Sequence, residues 1–307
     1  MSAALSPPAP RRHVAESFRC FGADCAVHVV GDVEAALRAR SLLHRFHARF
    51  SRFDRSSELS ALNADPRHAV PASADMIAFV RAGLAAAHRT GGLVDFTLAG
   101  ALERAGYATD LAVDAVPLPF ALSHAPPRRD ARPDPDHRWL AVGADVDTLV
   151  VTRPPGVALD SGGLKGLFAD VAAGAFDASE SFAIDCGGDL LLGGALHRVV
   201  RVESPFDEAV LHEYHLHSGG VATSGIGRRS WLDASGAPAH HLLDPSTGRP
   251  AFTGIVQVTA LAPTALGAEV LSKAALLSGP EGARRWLAHG GVVVFDDGAH
   301  EVVPPCA

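Results

Sequence analysis

The sequence predicts an α+β fold, one compact unit in which mixed β-sheets are flanked by helices. Three observations carry this. The 307 residues are 48% hydrophobic and 20% charged, an ordinary globular balance with ample core for one large domain. Apolar residues recur at helical spacing in some stretches and form short runs around glycine pairs in others. These helices and strands follow one another without a regular βαβ rhythm, and no internal repeat is visible.

Residues 1–14 are rich in Pro and Ala and are expected as a disordered tail, which leaves 15–307 as the domain. The opening MSAALSPPAPRRHVAE has no apolar leader core and no cysteine after one. No apolar run reaches the roughly 20 residues of a membrane span. Both features point to a cytoplasmic protein without a membrane segment. A net charge of −7 and a pI near 6.1 argue against a nucleic-acid surface. Cys20, Cys25, Cys186 and Cys306 form no zinc-type pair. Cys20 and Cys25 are near enough in sequence to bridge, but reduced thiols are favoured.

Residues 17–30 read as two short strands around a turn at Gly22. Residues 32–50 read as a helix with Val33, Ala36, Leu43, Phe46 and Phe50 on one stripe. A second helix spans 73–88, with Ser73 as its N-cap and Gly91-Gly92 ending it. Prolines at 117, 119, 126, 127, 133 and 135 exclude a long regular element from 110–137. Strands are expected to resume over 139–151.

Residues 157–166, VALDSGGLKG, read as a strand, a Gly-rich turn and a helix start. Such a turn presents free amides and the positive end of a helix dipole, which suits phosphate. Lys165 adds a mobile cation. The Gly-Lys-Ser/Thr ending of a Walker loop is missing. Residues 182–192 read as strand, Gly187-Gly188, strand. Further strands are expected over 198–203 and 209–217, where His212, His215 and His217 lie close together. His215 and His217 share a strand face, but no carboxylate stands at matching spacing, so a solvated face is preferred to a metal site. The chain closes with a strand over 255–261, a helix over 265–278 stopped by Gly279-Pro280, a short helix over 281–289 and a last strand over 291–295.

The most informative stretch is 222–250, ATSGIGRRSWLDASGAPAHHLLDPSTGRP. Its first half is a small-residue turn followed by two arginines, suited to close backbone approach and to phosphate oxygens. Its second half packs ionisable and hydroxyl groups around two leucines, with Asp-Pro-Ser-Thr-Gly as a turn. On the helix that follows, Glu269 and Lys273 stand at i and i+4. Taken alone, they are a helix-surface ion pair worth ~0.3–0.5 kcal/mol.

Seven motifs in order, from about Phe18 to Val303, resemble the ApbE family of flavin transferases. The 222–250 stretch resembles the paired SG-x-x-x-R and HHIIDP-x-TG signatures. FSRFDRSSELSALN (50–63) is similar to FS-x-Y-x-x-x-SEL-x-x-LN, DFTLAGAL (95–102) to D-x-T-x-GPL, DSGGLKG (160–166) to DLGG-x-x-KG with one residue fewer, and IDCGGDL (184–190) to INLGGDI. The resemblance implies a single ApbE-like, T-fold-like domain that uses FAD as substrate. It implies that FMN passes to a Thr or Ser hydroxyl of a partner flavoprotein while AMP leaves.

By motif match, FAD would be held by Phe21, Ser57, Asp95, Thr97, Asp160, Ser224, Arg228 and Leu242. Lys165 would lie near the pyrophosphate, Gly187 and Gly188 would let backbone approach, and Tyr107 would stack on a flat ring. His241 would deprotonate the incoming hydroxyl, with Asp244 and Thr247 orienting its loop. The family's A-D-x-x-x-T element holds Mg²⁺ with a carbonyl of the Gly turn. Its equivalents are Glu269, Lys273 and the carbonyl of Gly163. An ammonium has no lone pair to give a metal. Either Lys273 takes the cation's place, or it swings away and Mg²⁺ binds through Glu269, phosphate and water. A hydrolase that splits FAD to FMN and AMP and a non-catalytic FAD-binding protein are the other readings left open.

Overall fold

The computed structural model describes residues 13–109, 116–177 and 181–306. The expected tail therefore lies almost wholly outside the described residues, and His13 already stands in the first strand. Eight strands make one sheet whose spatial order is their order along the chain. They are β1 (His13–Cys20), β2 (Ala23–Val30), β3 (Ser181–Cys186), β4 (Asp189–Gly193), β5 (Gly219–Gly225), β6 (Ile255–Ala262), β7 (Gly291–Phe295) and β8 (His300–Val303). Every neighbouring pair is antiparallel. Two tight hairpins explain β1–β2 and β3–β4. Phe21-Gly22 and Gly187-Gly188 all have positive φ, as two-residue turns between twisted strands require.

The long insertion between β2 and β3 carries most of the helices. α1 (Val33–Phe50) starts at Asp32, whose carboxylate accepts from Glu34 N–H, and buries Ala36, Ala39, Leu43, Phe46 and Phe50. α2 (Glu58–Ala64) is capped by Ser57, and α3 (Ala74–Thr90) by Ser73, with Gly91 in the left-handed conformation at its end. A short α4 (Ala99–Arg104) precedes Tyr107. α5 (Lys165–Ala172) and α6 (Ala265–Leu277) pack on the sheet beside α1. Phe168 of α5 stacks on Phe46 and Phe50 at 5.2 and 5.0 Å, and Phe21 stacks on its ring at 5.1 Å. The core thus runs without a break from α1 to the first hairpin.

Three local expectations are corrected. Residues 138–141 form a 3₁₀ turn, Arg138–Ala141, before the short strands Gly143–Asp145 and Val150–Thr152. The Asp134 carboxylate winds that turn by accepting from the N–H groups of Asp136 and Arg138. Residues 157–159 join no ladder beyond one bridge from Ala158 to Leu98, because the Asn63 side chain takes both the N–H and the carbonyl of Leu159 at 2.8 Å. The expected helix over 281–289 is broken into Gly279–Gly282 and a 3₁₀ turn at Ala283–Trp286, and β8 rather than β7 closes the sheet.

α5 and α6 meet backbone to backbone. A Cβ on Gly166 would lie 2.5 Å from the carbonyl carbon of Ala265 and from the nitrogen of Leu266. Each helix also satisfies the other's first turn. Glu269 of α6 accepts from the Gly166 N–H at 2.8 Å, and Asp170 of α5 accepts from Ala265 and Leu266 N–H at 2.8 and 3.1 Å. Gly166→Ala is therefore expected to cost about 1–3 kcal/mol by overpacking. Gly174→Ala, which meets nothing within 4 Å, should stay within about 0.5 kcal/mol of the parent in the same denaturant titration.

Candidate active site

A cleft of about 310 Å³ opens where four chain segments converge. They are the β1–β2 turn, the loop after α1, the Gly-rich turn before α5, and the segment 241–243 facing α6. Its volume falls within the usual range of small-molecule sites. Of the residues expected there, Phe21, Asp95, Tyr107, Asp160, Gly163, Lys165, His241, Leu242 and Lys273 line it.

Lys165 is a fixed cation rather than a mobile one. Its side chain is 11% exposed, its ammonium lies 2.8 Å from the Asp189 carboxylate, and it donates to the Cys186 carbonyl at 3.2 Å. Burial alone would lower its pKa. The Asp189 and Glu269 charges and the Asp189 hydrogen bond together outweigh that and hold it above the ordinary lysine range. Gly187 and Gly188 build the platform beneath it. A Cβ on Gly187 would sit 2.5 Å from the Ala23 methyl and 3.8 Å from Lys165 Nζ. The two glycines thus support Lys165 without lining the cleft.

Beside this pair lies a second one. Glu269 is 1% exposed; one of its oxygens accepts from Gly166 N–H, the other from the Lys273 ammonium at 2.7 Å. Lys273 Nζ stands 3.9 Å from the point a Gly163 Cβ would occupy, so the ammonium sits alongside the Gly turn. This donor set does not fit a divalent cation. Both carboxylate oxygens already serve protein donors, and the neighbouring nitrogen has no lone pair. Among the described residues, no three His, Cys, Asp or Glu side chains gather closely enough to hold a metal ion. Of the neighbouring histidines, His212 of the strand Val210–Leu216 is edge-on to Tyr214, and His217, just beyond that strand, packs against His197.

Arg52, which sequence reasoning passed over, shapes the apolar wall. Its guanidinium lies 4.2 Å over the Phe53 ring, 4.3 Å over Tyr107 and 3.2 Å from the Asp160 carboxylate. Trp231 also stacks on Tyr107, at 5.2 Å. The Tyr107 ring that lines the cleft is thus already packed against two protein groups. Two polar atoms of this wall are buried without a partner, Arg52 Nη2 and Asp95 Oδ2. The other Asp95 oxygen accepts from both the N–H and the hydroxyl of Thr97, which places Thr97 behind Asp95 rather than in the cleft. Burial raises the Asp95 pKa.

On the opposite wall, the two histidines divide. His240 is buried edge-on to Phe252, and burial pushes its pKa down to about 3. His241 faces the cleft, with Nδ1 3.4 Å from the Arg229 carbonyl. Burial, then the charge of Arg229, pushes it well below the ordinary histidine range, so it stays neutral at pH 7. Arg229 lines the cleft and donates to the Phe21 carbonyl at 3.0 Å, whereas the expected Arg228 is exposed outside it. With three residues intervening after Ser224-Gly225, the SG-x-x-x-R spacing lands on Arg229, so the spacing itself held the signal.

Asp244 and Thr247 build the turn beneath His241. One Asp244 oxygen accepts from Arg132 N–H and from the N–H and hydroxyl of Ser246, while its carbonyl accepts from Thr247 and Gly248 N–H. Ser224 and Ser57 also lie behind the site. Ser224 shares a 2.8 Å hydrogen bond with Ser272 of α6, and Ser57 caps α2 while donating to the Ser51 carbonyl.

Removing the Asp189 charge should be costly, because it leaves a buried ammonium without its anion. Asp189→Asn is expected to destabilise the fold by about 3–5 kcal/mol in denaturant titration. His240 makes stability depend on pH. Its folded pKa lies below the unfolded value of 6.5, so its contribution is complete above 6.5. As pH falls from 6.5 towards about 3, only the unfolded chain takes up the proton and stability drops. Melts across that window should lose a few kcal/mol more in the parent than in His240→Phe.

A model of the ApbE family matches residues 21–295. The FAD:protein FMN transferase of Treponema pallidum is 30% identical over 289 residues, 85% of this chain and 77% of that protein. The Escherichia coli K12 protein of the same name is 32% identical over 120 residues, and this chain spans only 34% of its length. Among solved structures, the ApbE protein of Thermotoga maritima superposes with a TM-score of 0.79 at 26% identity, covering 95% of this chain and 97% of that one. The Vibrio cholerae flavin transferase ApbE, with a TM-score of 0.70 at 18% identity, covers the same shares and shares the fold. The family match spans the Gly163 turn, the Arg229 segment and the Lys273 helix that line the cleft, and the chain belongs to the ApbE family.

Proposed function

We propose that the protein transfers FMN from FAD to a Thr or Ser hydroxyl of a partner flavoprotein and releases AMP. The observation that carries this is the pairing, in one cleft, of a neutral histidine with three cations, Lys165, Arg229 and Lys273. With Nδ1 of His241 donating to the Arg229 carbonyl, Nε2 carries the lone pair and can accept a proton. The acceptor oxygen attacks the FMN-side phosphorus of FAD. A new P–O bond forms, the bond to AMP breaks, AMP keeps the bridging oxygen, and the hydroxyl proton passes to His241.

The chain's own contribution is positional and electrostatic, as phosphoryl transfer generally requires. The three cations offset charge on the phosphate oxygens. The unpartnered Arg52 Nη2 and Asp95 Oδ2 offer a donor and a carboxylate to the polar edge of a bound ring.

The test is AMP release by chromatography together with covalent flavin on a flavin-accepting domain, against the same domain with its target Thr replaced by Ala. AMP should appear with the intact acceptor, and flavin should remain on it after denaturation. His241→Ala should lower the rate about 10²–10⁴-fold while FAD affinity changes only a few-fold. Equal AMP release without the acceptor would instead assign FAD hydrolysis.

A further inference from the structure

We propose that the ammonium of Lys273, held on Glu269 beside the Gly163 turn, takes the place of a divalent cation, so that this site binds FAD and cleaves its pyrophosphate without a metal. The inference rests on the FMN-transfer reading above.

Four observations carry it. Both Glu269 oxygens already accept from protein donors, one from Gly166 N–H at 2.8 Å and the other from Lys273 Nζ at 2.7 Å. A metal seated on the Glu269 oxygen that faces Lys273 would displace the ammonium and break that ion pair. The Lys273 side chain is 12% exposed and lines the cleft, so it is packed in place beside the Gly turn. The surroundings are already cationic. Lys165 and Arg229 line the same cleft, and Arg229 forms no ion pair with a carboxylate among the described residues. A doubly charged ion added at contact distance from Lys273 would meet that ammonium at close range and the uncompensated charge of Arg229. Finally, an ammonium is chemically adequate for the task. It carries three N–H donors, one engaged by Glu269, leaving two for phosphate oxygens. It offers a compact positive charge in a water-poor site, where such charges act most strongly on developing negative charge.

The division of charge fits the same picture. Lys165–Asp189 and Lys273–Glu269 are each neutral as pairs, and Arg229 supplies the net positive charge that an anionic pyrophosphate needs. A carboxylate that held a metal would instead have to face the phosphate directly when the metal was absent. Here the ammonium is built in and the carboxylate lies behind it.

The experiment compares FAD binding, read by flavin fluorescence, and AMP release in the presence of the flavin-accepting domain, by the full chain dialysed against EDTA and then supplied with Mg²⁺. The expected dissociation constant agrees within about twofold between the two buffers, and AMP release persists in EDTA. Lys273→Met, which keeps the apolar stem, should weaken FAD at least about tenfold in both buffers, with no rescue by Mg²⁺. E269D/K273T should reverse the behaviour, with Mg²⁺ tightening FAD about tenfold or more. Wild-type binding or turnover that collapses in EDTA and returns with Mg²⁺ overturns the inference and leaves FMN transfer standing. FAD bound equally in both buffers with no AMP from either overturns the catalytic half of it. Absence of FAD binding in both buffers overturns the FMN-transfer reading itself. The wild-type comparison decides the matter even if the variants fail to fold.

Discussion

The site depends on one reciprocal interaction, the exchange of carboxylates between α5 and α6. Glu269 satisfies the first turn of α5 and Asp170 satisfies the first turn of α6, across a contact that only Gly166 allows. A helix beginning without a side-chain cap of its own, as α5 does at Leu164, is completed by its neighbour. The consequence is geometric. Lys165 opens α5 and Lys273 lies one turn beyond Glu269, so the packing of two helices brings two lysines from distant parts of the chain into one cleft.

The electrostatics follow from how each charge is buried. An ammonium taken out of water needs an anion at hydrogen-bond distance, and each buried lysine has one that is more buried than itself. Arg52 is handled differently, lying on two aromatic rings and paired with Asp160. Arg229 is anchored by a carbonyl alone, which leaves its charge uncompensated and turned to the cleft. Burial first, and then the charges of Arg229 and Lys273, keep His241 unprotonated. A basic nitrogen at neutral pH is thus a product of the arrangement as a whole.

Much of the fold was legible locally. The stripes over 32–50 and 265–278, the Ser73 cap and the glycine-pair hairpins rest on short-range rules, and the elements appear where those rules place them. Where expectations failed, a distant residue had intervened. Asn63 occupies the backbone of Leu159, about a hundred positions on, and prevents a strand there. The Tyr107 ring packs against Trp231 and Arg52, which reach it from other segments. Lys165 is immobile because Asp189, across the β3–β4 turn, is its counter-ion.

The sequence by itself determined which residue types were available and in what order: two glycine turns, an arginine pair, a histidine pair, and a Glu–Lys pair one helical turn apart. Those assignments rest on backbone conformation and helical periodicity, which act over a few residues. The tertiary structure shows which member of each pair meets the cleft. Arg229 rather than Arg228 and His241 rather than His240 meet the cleft, because adjacent residues leave the backbone on different sides and packing fixes which side is buried. It also decided that Glu269 spends both oxygens on protein donors, a long-range hydrogen-bond count that no local pattern contains.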